Sequence, residues 1–309
     1  MLKNKKVIIE FLSQQNTSST RQLYQAELIA FLKTIHNKEY RSITAKDLST
    51  FQASIQTYKL KNGEIRKISS STKARKISIV NGFLKFLFRR GYIKKDLTGE
   101  MILPRVHQKS PEVLTQDEAQ ALLRVSDKRT YRGLRDYIML RIFLLTGCRL
   151  QELININWGD FSRKYNFLTL MLKGKGNKQR IVKIPKDLEQ EIQGYKGKRE
   201  AKPDEPMFMT SSVRGLATKR ISSISIRHML AKYAKEALIS KHITPHSLRH
   251  TCFSLEVANG ANAFQVMEQA GHSSLNTTQR YVRLFNSMGN NGVDFNPLSH
   301  KNTKNHLIY

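Results

Sequence analysis

Four short runs of this 309-residue chain carry side chains suited to attack on a phosphodiester. The first, T-G-C-R-L-Q-E-L over 146–153, holds Arg149 and Glu152. The second, K-G-K-G-N-K-Q-R over 173–180, sets Lys175 between Gly174 and Gly176. The third, H-S-L-R-H over 246–250, holds His246, Arg249 and His250. The fourth, G-H-S-S-L-N-T-T-Q-R-Y over 271–281, holds His272 and Tyr281. Cleaving a phosphodiester requires a nucleophile, charge balance on the non-bridging oxygens and a proton for the leaving sugar oxygen. Arginine suits the second task, because its planar fork reaches two oxygens and stays charged. An ammonium on a glycine-flanked turn can be carried to the leaving oxygen. His246 and Arg249 are three residues apart, so one helix face presents both. A tyrosine with an ordinary pKa near 10 acts as a nucleophile only beside cations and a proton acceptor.

Taken together, in this order and spacing, the four runs resemble the catalytic domain of the tyrosine recombinases, close to the Xer type and the phage integrases. The resemblance covers roughly residues 111–284 and extends more weakly to the helical, basic first hundred residues. It implies that Arg149 and Arg249 clamp the phosphate, with preorganised donors of this kind worth about 3 kcal/mol each in the transition state. It implies that Lys175 is the general acid, with Lys173 and Lys178 as the neighbours that compete for the role or contact backbone phosphates. His246 and His272 would hydrogen-bond the phosphate or move the nucleophile's proton, and His250 would support them from behind. Tyr281 would be the nucleophile, giving a 3′-phosphotyrosyl ester and a free 5′ hydroxyl. That ester keeps the bond energy, so rejoining would need neither ATP nor metal, and no cofactor is expected. Glu152 matches the family's acidic position and would orient an arginine or histidine; the plainer alternative is a helix-surface ion pair.

The family picture also implies a helical DNA-binding domain and a catalytic domain gripping opposite faces of duplex DNA. Members work as tetramers on two specific sites, exchanging strands through a Holliday junction, with accessory proteins in some systems. Integration, excision, inversion and dimer resolution are all within the family's range. The tail after residue 284 departs from a regular terminal helix, since it contains Gly289, Asn290, Asn291, Gly292 and Pro297. Residues 307–309 could still anchor on a neighbouring subunit. No additional arm-binding domain is expected ahead of residue 15.

Charge supports a polyanionic partner independently of any motif. Lys plus Arg number 53 against 24 Asp plus Glu, a formal net of +29. Residues 1–110 carry 22 of the basic and 7 of the acidic side chains, so both halves of the chain are basic. Neutralising DNA phosphates releases condensed counterions and relieves such self-repulsion. Hydrophobic residues at 39% and charged residues at 25% describe a globular chain long enough for two cores. The two cysteines, Cys148 and Cys252, form no C-x-x-C pair, which argues against a thiolate zinc site and fits a reducing interior. They are read as small buried hydrophobes. No leader peptide and no membrane-length apolar run is present, so a soluble cytoplasmic protein associated with the nucleoid is expected. No carboxylate triad or G-x-x-x-x-G-K-[ST] run occurs, against a DDE transposase, a two-metal nuclease or a P-loop ATPase. Two readings compete with the recombinase: a type IB topoisomerase, which shares the chemistry, and a DNA-binding protein with a dead site.

The elements that must position these residues are mainly helical, with a small β-sheet. Helices are expected over 20–35, 44–58 and 71–88. The last shows Lys73, Arg75 and Lys76 on the side away from its apolar residues, a face suited to the DNA backbone. Gly99, Pro104 and Pro111 mark a linker over 102–112. Three parts follow: a helical core-binding domain over 1–103, a linker over 104–111, and a mixed α/β catalytic domain with its tail over 112–309. In the catalytic domain, helices are expected from 115, over 132–146, 186–195, 222–237, 246–259, 262–270 and 275–284. Strands are expected over 166–172 and 179–185, joined by the glycine-rich turn that carries Lys175. Lys173, Lys178 and Arg180 on this hairpin are read as contacts to DNA phosphates.

Overall fold

In the computed structural model the described residues are 2–60, 62–106, 112–174, 178–197, 201–210 and 219–271. Two compact units divide the chain, Met1–Lys109 and Ser110–Tyr309.

The first unit is built from α1 (Leu2–Ser13), α2 (Ser18–Thr34), α3 (Ala45–Ser54), a hairpin of β1 (Thr57–Lys59) and β2 (Ile65–Lys67), and α4 (Ser70–Arg89). Its core gathers Phe11 of α1, Leu28 and Phe31 of α2, Leu48 and Phe51 of α3, and Ile77, Val80, Phe83 and Leu84 of α4. Each such side chain, withdrawn from water, contributes roughly 1.5–3 kcal/mol. The Thr44 hydroxyl accepts from the Asp47 N–H, and the Asp47 carboxylate accepts from the Thr44 N–H at 2.9 Å, closing the capping box that starts α3.

The expected helix over 44–58 is corrected: α3 stops at Ser54. Thr57 and Tyr58 favour extended backbone, and Asn62-Gly63, with Gly63 at φ +88°, turns the chain back on itself. The resulting pairs are Thr57–Lys67, Tyr58–Arg66 and Lys59–Ile65. Helix α1 is also additional to the expectation. Val7, Ile8, Phe11 and Leu12 recur with helical spacing and are buried.

The second unit centres on α6 (Tyr131–Thr146), where Ile138, Met139, Leu140, Ile142 and Phe143 are fully buried. Helix α5 (Gln116–Arg124), capped by Thr115, precedes it, and the short α7 (Leu150–Ile154) follows. A three-stranded antiparallel sheet comes next: β3 (Phe161–Lys164), β4 (Phe167–Lys173) and β5 (Gln179–Ile184), in the order β3-β4-β5. Leu170 and Leu172 of β4 and Val182 and Ile184 of β5 point into the core, while Ile181 is 61% exposed. That alternation is the period of two that a half-buried sheet imposes. Strand β3 lies outside the expected strands. Its turn has Tyr165 at φ +51°, which its residue type does not announce.

Four further helices follow among the described residues: α8 (Lys186–Lys196), α9 (Ser223–Glu236), α10 (Pro245–Ala258) and α11 (Ala263–Ala270). Thr244 caps α10, and Pro245 fills its first turn, where no N–H is missed. Asn262 caps α11, and Gly271 ends it in the left-handed conformation. The expected helix over 275–284 lies outside the described residues. Mainly α with a small β-sheet is the fold class found.

Candidate active site

The run T-G-C-R-L-Q-E is a structural unit before it is a chemical one. Helix α6 stops at Gly147, whose φ of +56° suits glycine. A β-carbon there would lie 2.3 Å from the ring of Phe253 on α10, so the close approach needs glycine as well. Cys148 is fully buried, and burial pushes its thiol up to about 12, which leaves it unreactive. Arg149 then begins α7. Its N–H donates to Glu152 Oε2 at 2.8 Å and its Nη1 donates to Glu152 Oε1 at 2.9 Å. Three-residue spacing therefore brings backbone and side chain of Arg149 onto one carboxylate.

Glu152 is a buried hub rather than part of a helix-surface pair. Its side chain is 2% exposed, and Arg180 Nη2 on β5 donates to Oε2 at 2.8 Å. Burial alone would raise its pKa. The hydrogen bond and charge of Arg180, with the bonds from Arg149, outweigh that and hold it at about 2. The carboxylate is therefore ionised throughout the physiological range.

The hairpin reaches the same carboxylate through Gly174. A β-carbon at 174 would sit 3.0 Å from Glu152 Oε1 and 3.9 Å from Arg149 Nη1. The Gly174 N–H donates to the Lys178 carbonyl at 2.7 Å, closing the base of the turn. Lys175 lies outside the described residues. Lys173 is exposed and pairs with the buried Asp160 at 2.7 Å, and Lys178 is exposed as well.

Arg249 joins two of the other runs. It is 4% exposed; Nη1 donates to the Gly147 carbonyl and Nη2 to the Ala270 carbonyl at 2.7 Å. Its guanidinium carbon lies 4.9 Å from the centroid of the Phe253 ring. The turn before Arg149 and the end of α11, one residue before Gly271, are thus tied to one guanidinium. His246 is exposed in the first turn of α10, and His250 is half-buried one turn later, with ring centroids 6.4 Å apart. His272 and Tyr281 lie outside the described residues. Described residues of three of the four runs nevertheless line one cleft: Arg149, Gly174, Lys178, Arg180 and Gly271.

Of the residues expected at DNA phosphates, Arg180 and Lys173 each pair with a buried carboxylate, Glu152 and Asp160. In the first unit, Arg75 and Lys76 converge on Glu27, with Arg75 at 3.4 Å, and Lys73 bonds Gln56. These side chains stay partly exposed at the surface of α4.

Comparison with known proteins adds the following. Residues 112–288 match the phage integrase family, and residues 8–91 match the phage integrase N-terminal SAM-like domain. The tyrosine recombinase XerD of Staphylococcus epidermidis is 32% identical over 224 residues, covering 71% of this chain and 74% of that protein. The tyrosine recombinase XerC of Anoxybacillus flavithermus is 29% identical over 265 residues, covering 84% and 83%. Among solved structures, the post-cleavage complex of the XerH site-specific recombinase with palindromic difH substrate superposes with a TM-score of 0.69 at 20% identity, over 87% of this chain and 77% of that one. A lambda integrase tetramer bound to a Holliday junction gives 0.67 at 14% identity, over 90% and 75%. Those two likenesses concern the fold.

Proposed function

The chain belongs to the phage integrase family and is a tyrosine recombinase, and from that premise we propose that Tyr281 is its nucleophile and that Arg149, Arg249, His246, His272 and Lys175 serve the same phosphate. The Tyr281 phenolate oxygen forms a bond to the scissile phosphorus while the bond to the 5′ oxygen breaks. Lys175 gives that oxygen its proton. Arg149 and Arg249, with the two histidines, balance the charge that develops on the non-bridging oxygens. A 5′ hydroxyl from the second DNA site then attacks the 3′-phosphotyrosyl ester and frees the tyrosine. No bond energy is lost between the two steps, so the exchange is reversible.

One observation carries this reading: Arg249 bonds the carbonyls of Gly147 and Ala270, while Glu152 binds both Arg149 and Arg180. Chain segments far apart in sequence are drawn to one cleft, and a phosphate clamp requires that convergence.

On the same premise, residues 1–103 form the core-binding domain, 104–111 the linker and 112–309 the catalytic domain. The partner is double-stranded DNA carrying specific sites. The working assembly is a tetramer on two such sites that passes through a Holliday junction, in the cytoplasm on nucleoid DNA, with accessory proteins where the system requires them. Among the described residues no helix is long and apolar enough to cross a membrane.

The test is trapping on nicked suicide duplexes, from which the short fragment bearing the new 5′ hydroxyl diffuses away. The wild-type chain forms a covalent protein–DNA adduct, and peptide mapping finds the DNA on Tyr281. Tyr281→Phe binds the same duplex and forms none. An adduct that survives this substitution rejects the nucleophile assignment.

A further inference from the structure

Arg180 has the surroundings of a site residue, not of a surface cation. We propose that Arg180 is a positioning residue for strand cleavage, one that neutralises Glu152 so that the charge of Arg149 remains available to the scissile phosphate. This rests on the recombinase reading above.

The charge count is the first ground. Glu152 carries one negative charge and binds two guanidinium groups, Arg149 on Oε1 and Arg180 on Oε2. With both cations present the cluster has a net positive charge. Without Arg180 the remaining pair is neutral, and the 40%-exposed Arg149 is drawn onto a buried carboxylate instead of a substrate oxygen. Arg180 itself is 12% exposed, too enclosed to ride on a DNA surface.

Placement is the second ground. Arg180 pairs with Leu172 across the sheet, and the next pair, Lys173–Gln179, is the last before the turn that holds Lys175. Its anchor on Glu152 therefore pins the base of the hairpin to the start of α7. Its stem also packs on the backbone where α11 ends: a β-carbon at Gly271 would lie 3.6 Å from Arg180 Cδ. Residue 271 directly precedes His272. One side chain thus touches the supports of Arg149, Lys175 and His272.

A third observation separates position from stability. Arg180 Nε is buried and has no hydrogen-bond partner among the described residues. A buried donor without an acceptor costs its full desolvation. An apolar side chain facing the core from this strand would avoid that cost, so stability alone does not account for a guanidinium here.

The experiment uses the full chain and a nicked suicide duplex recovered, by adduct formation with the wild type, from a library with a randomised core. Adduct formation is timed at saturating duplex, the duplex Kd is measured separately, and each variant is melted. Arg180→Met slows adduct formation on the order of 100-fold with Kd unchanged, because the clamp is misplaced rather than the DNA lost. Arg180→Lys restores most of the rate, since it returns the charge. The pair Glu152→Gln with Arg180→Met is faster than Arg180→Met alone, since a neutral amide no longer captures Arg149. Adduct formation by Arg180→Met at the wild-type rate overturns the proposal. So does a loss confined to Kd, which would return Arg180 to the DNA backbone, or a double variant slower than Arg180→Met. If Arg180→Met does not fold, the double variant is compared with Glu152→Gln: equal rates are expected, and a further tenfold loss overturns the inference. A wild-type chain that traps no duplex from the library would instead sink the recombinase reading beneath it.

Discussion

Two basic clusters in this molecule are each drawn to a glutamate, and they are built differently. On the first unit, Glu27 of α2 takes Arg75 and Lys76 of α4, whose side chains are 50% and 20% exposed. Among the described residues, only side chains hold that carboxylate. On the second unit, Glu152 is 2% exposed and is held by the Arg149 N–H as well as by two guanidinium groups. The first arrangement moderates charge where α4 meets the surface, with its cations held by side-chain contacts to one carboxylate. The second fixes direction. A surface that reads phosphates by charge tolerates movement, whereas a transition state requires donors already aimed.

The largest effect that would sharpen this contrast is expected at the fixed end. Arg249→Lys removes a fork that bonds two carbonyls at once, and a single ammonium cannot span both. Adduct formation should fall on the order of 1,000-fold at saturating DNA. A loss under tenfold would mean that the directed geometry is dispensable.

Glu152→Ala should come next. Deleting the acid leaves Arg180 buried without its charge partner, at a cost of about 3–5 kcal/mol in unfolding free energy. Denaturant melts would check it. The same group makes stability depend on pH. Its carboxyl is held at about 2 against an ordinary 4.5, so its contribution is full above the ordinary value and is lost as pH falls from 4.5 towards 2. Glu152→Gln should flatten that part of the stability curve. A wild-type curve as flat as that of the variant would contradict the ionised hub.

The smallest effect belongs to the cluster on the first unit. Glu27→Gln should change stability by about 1 kcal/mol or less. Freed of their carboxylate, Arg75 and Lys76 should add about 1–2 to the slope of log K for DNA against log salt. The cleavage rate at saturating DNA should not change. A rate change there would erase the distinction between the two clusters.

Much of the site could be read from residue types because its local geometry is local in sequence. Thr115, Thr244 and Asn262 cap helices within three residues of themselves, and Gly147 and Gly271 end helices where they stand. Arg149 and Glu152 meet because both lie in one turn. What escaped depended on distant partners or on weak turn signals. Strand β3 is short and polar and gains its strand character from pairing with β4. The β1–β2 hairpin was hidden behind a helix start with strong capping. The bond from Arg180 to Glu152 was likewise not legible from charge. The alternation of Val182 and Ile184 puts residue 180 on the same inward face, and that signal lay in the sequence. Its partner Glu152 lies 28 residues away, which no local pattern reports.

Gly147 and Phe253 have a consequence for how this chain can vary. The aromatic ring fills the space where any larger residue at 147 would put its first carbon, and the left-handed backbone there disfavours such a residue independently. Shrinking the ring would remove the collision but not the backbone penalty, and it would take away the surface on which Arg249 lies. No single substitution at either position leads downhill to an alternative, so descendants of this sequence are locked into the pair.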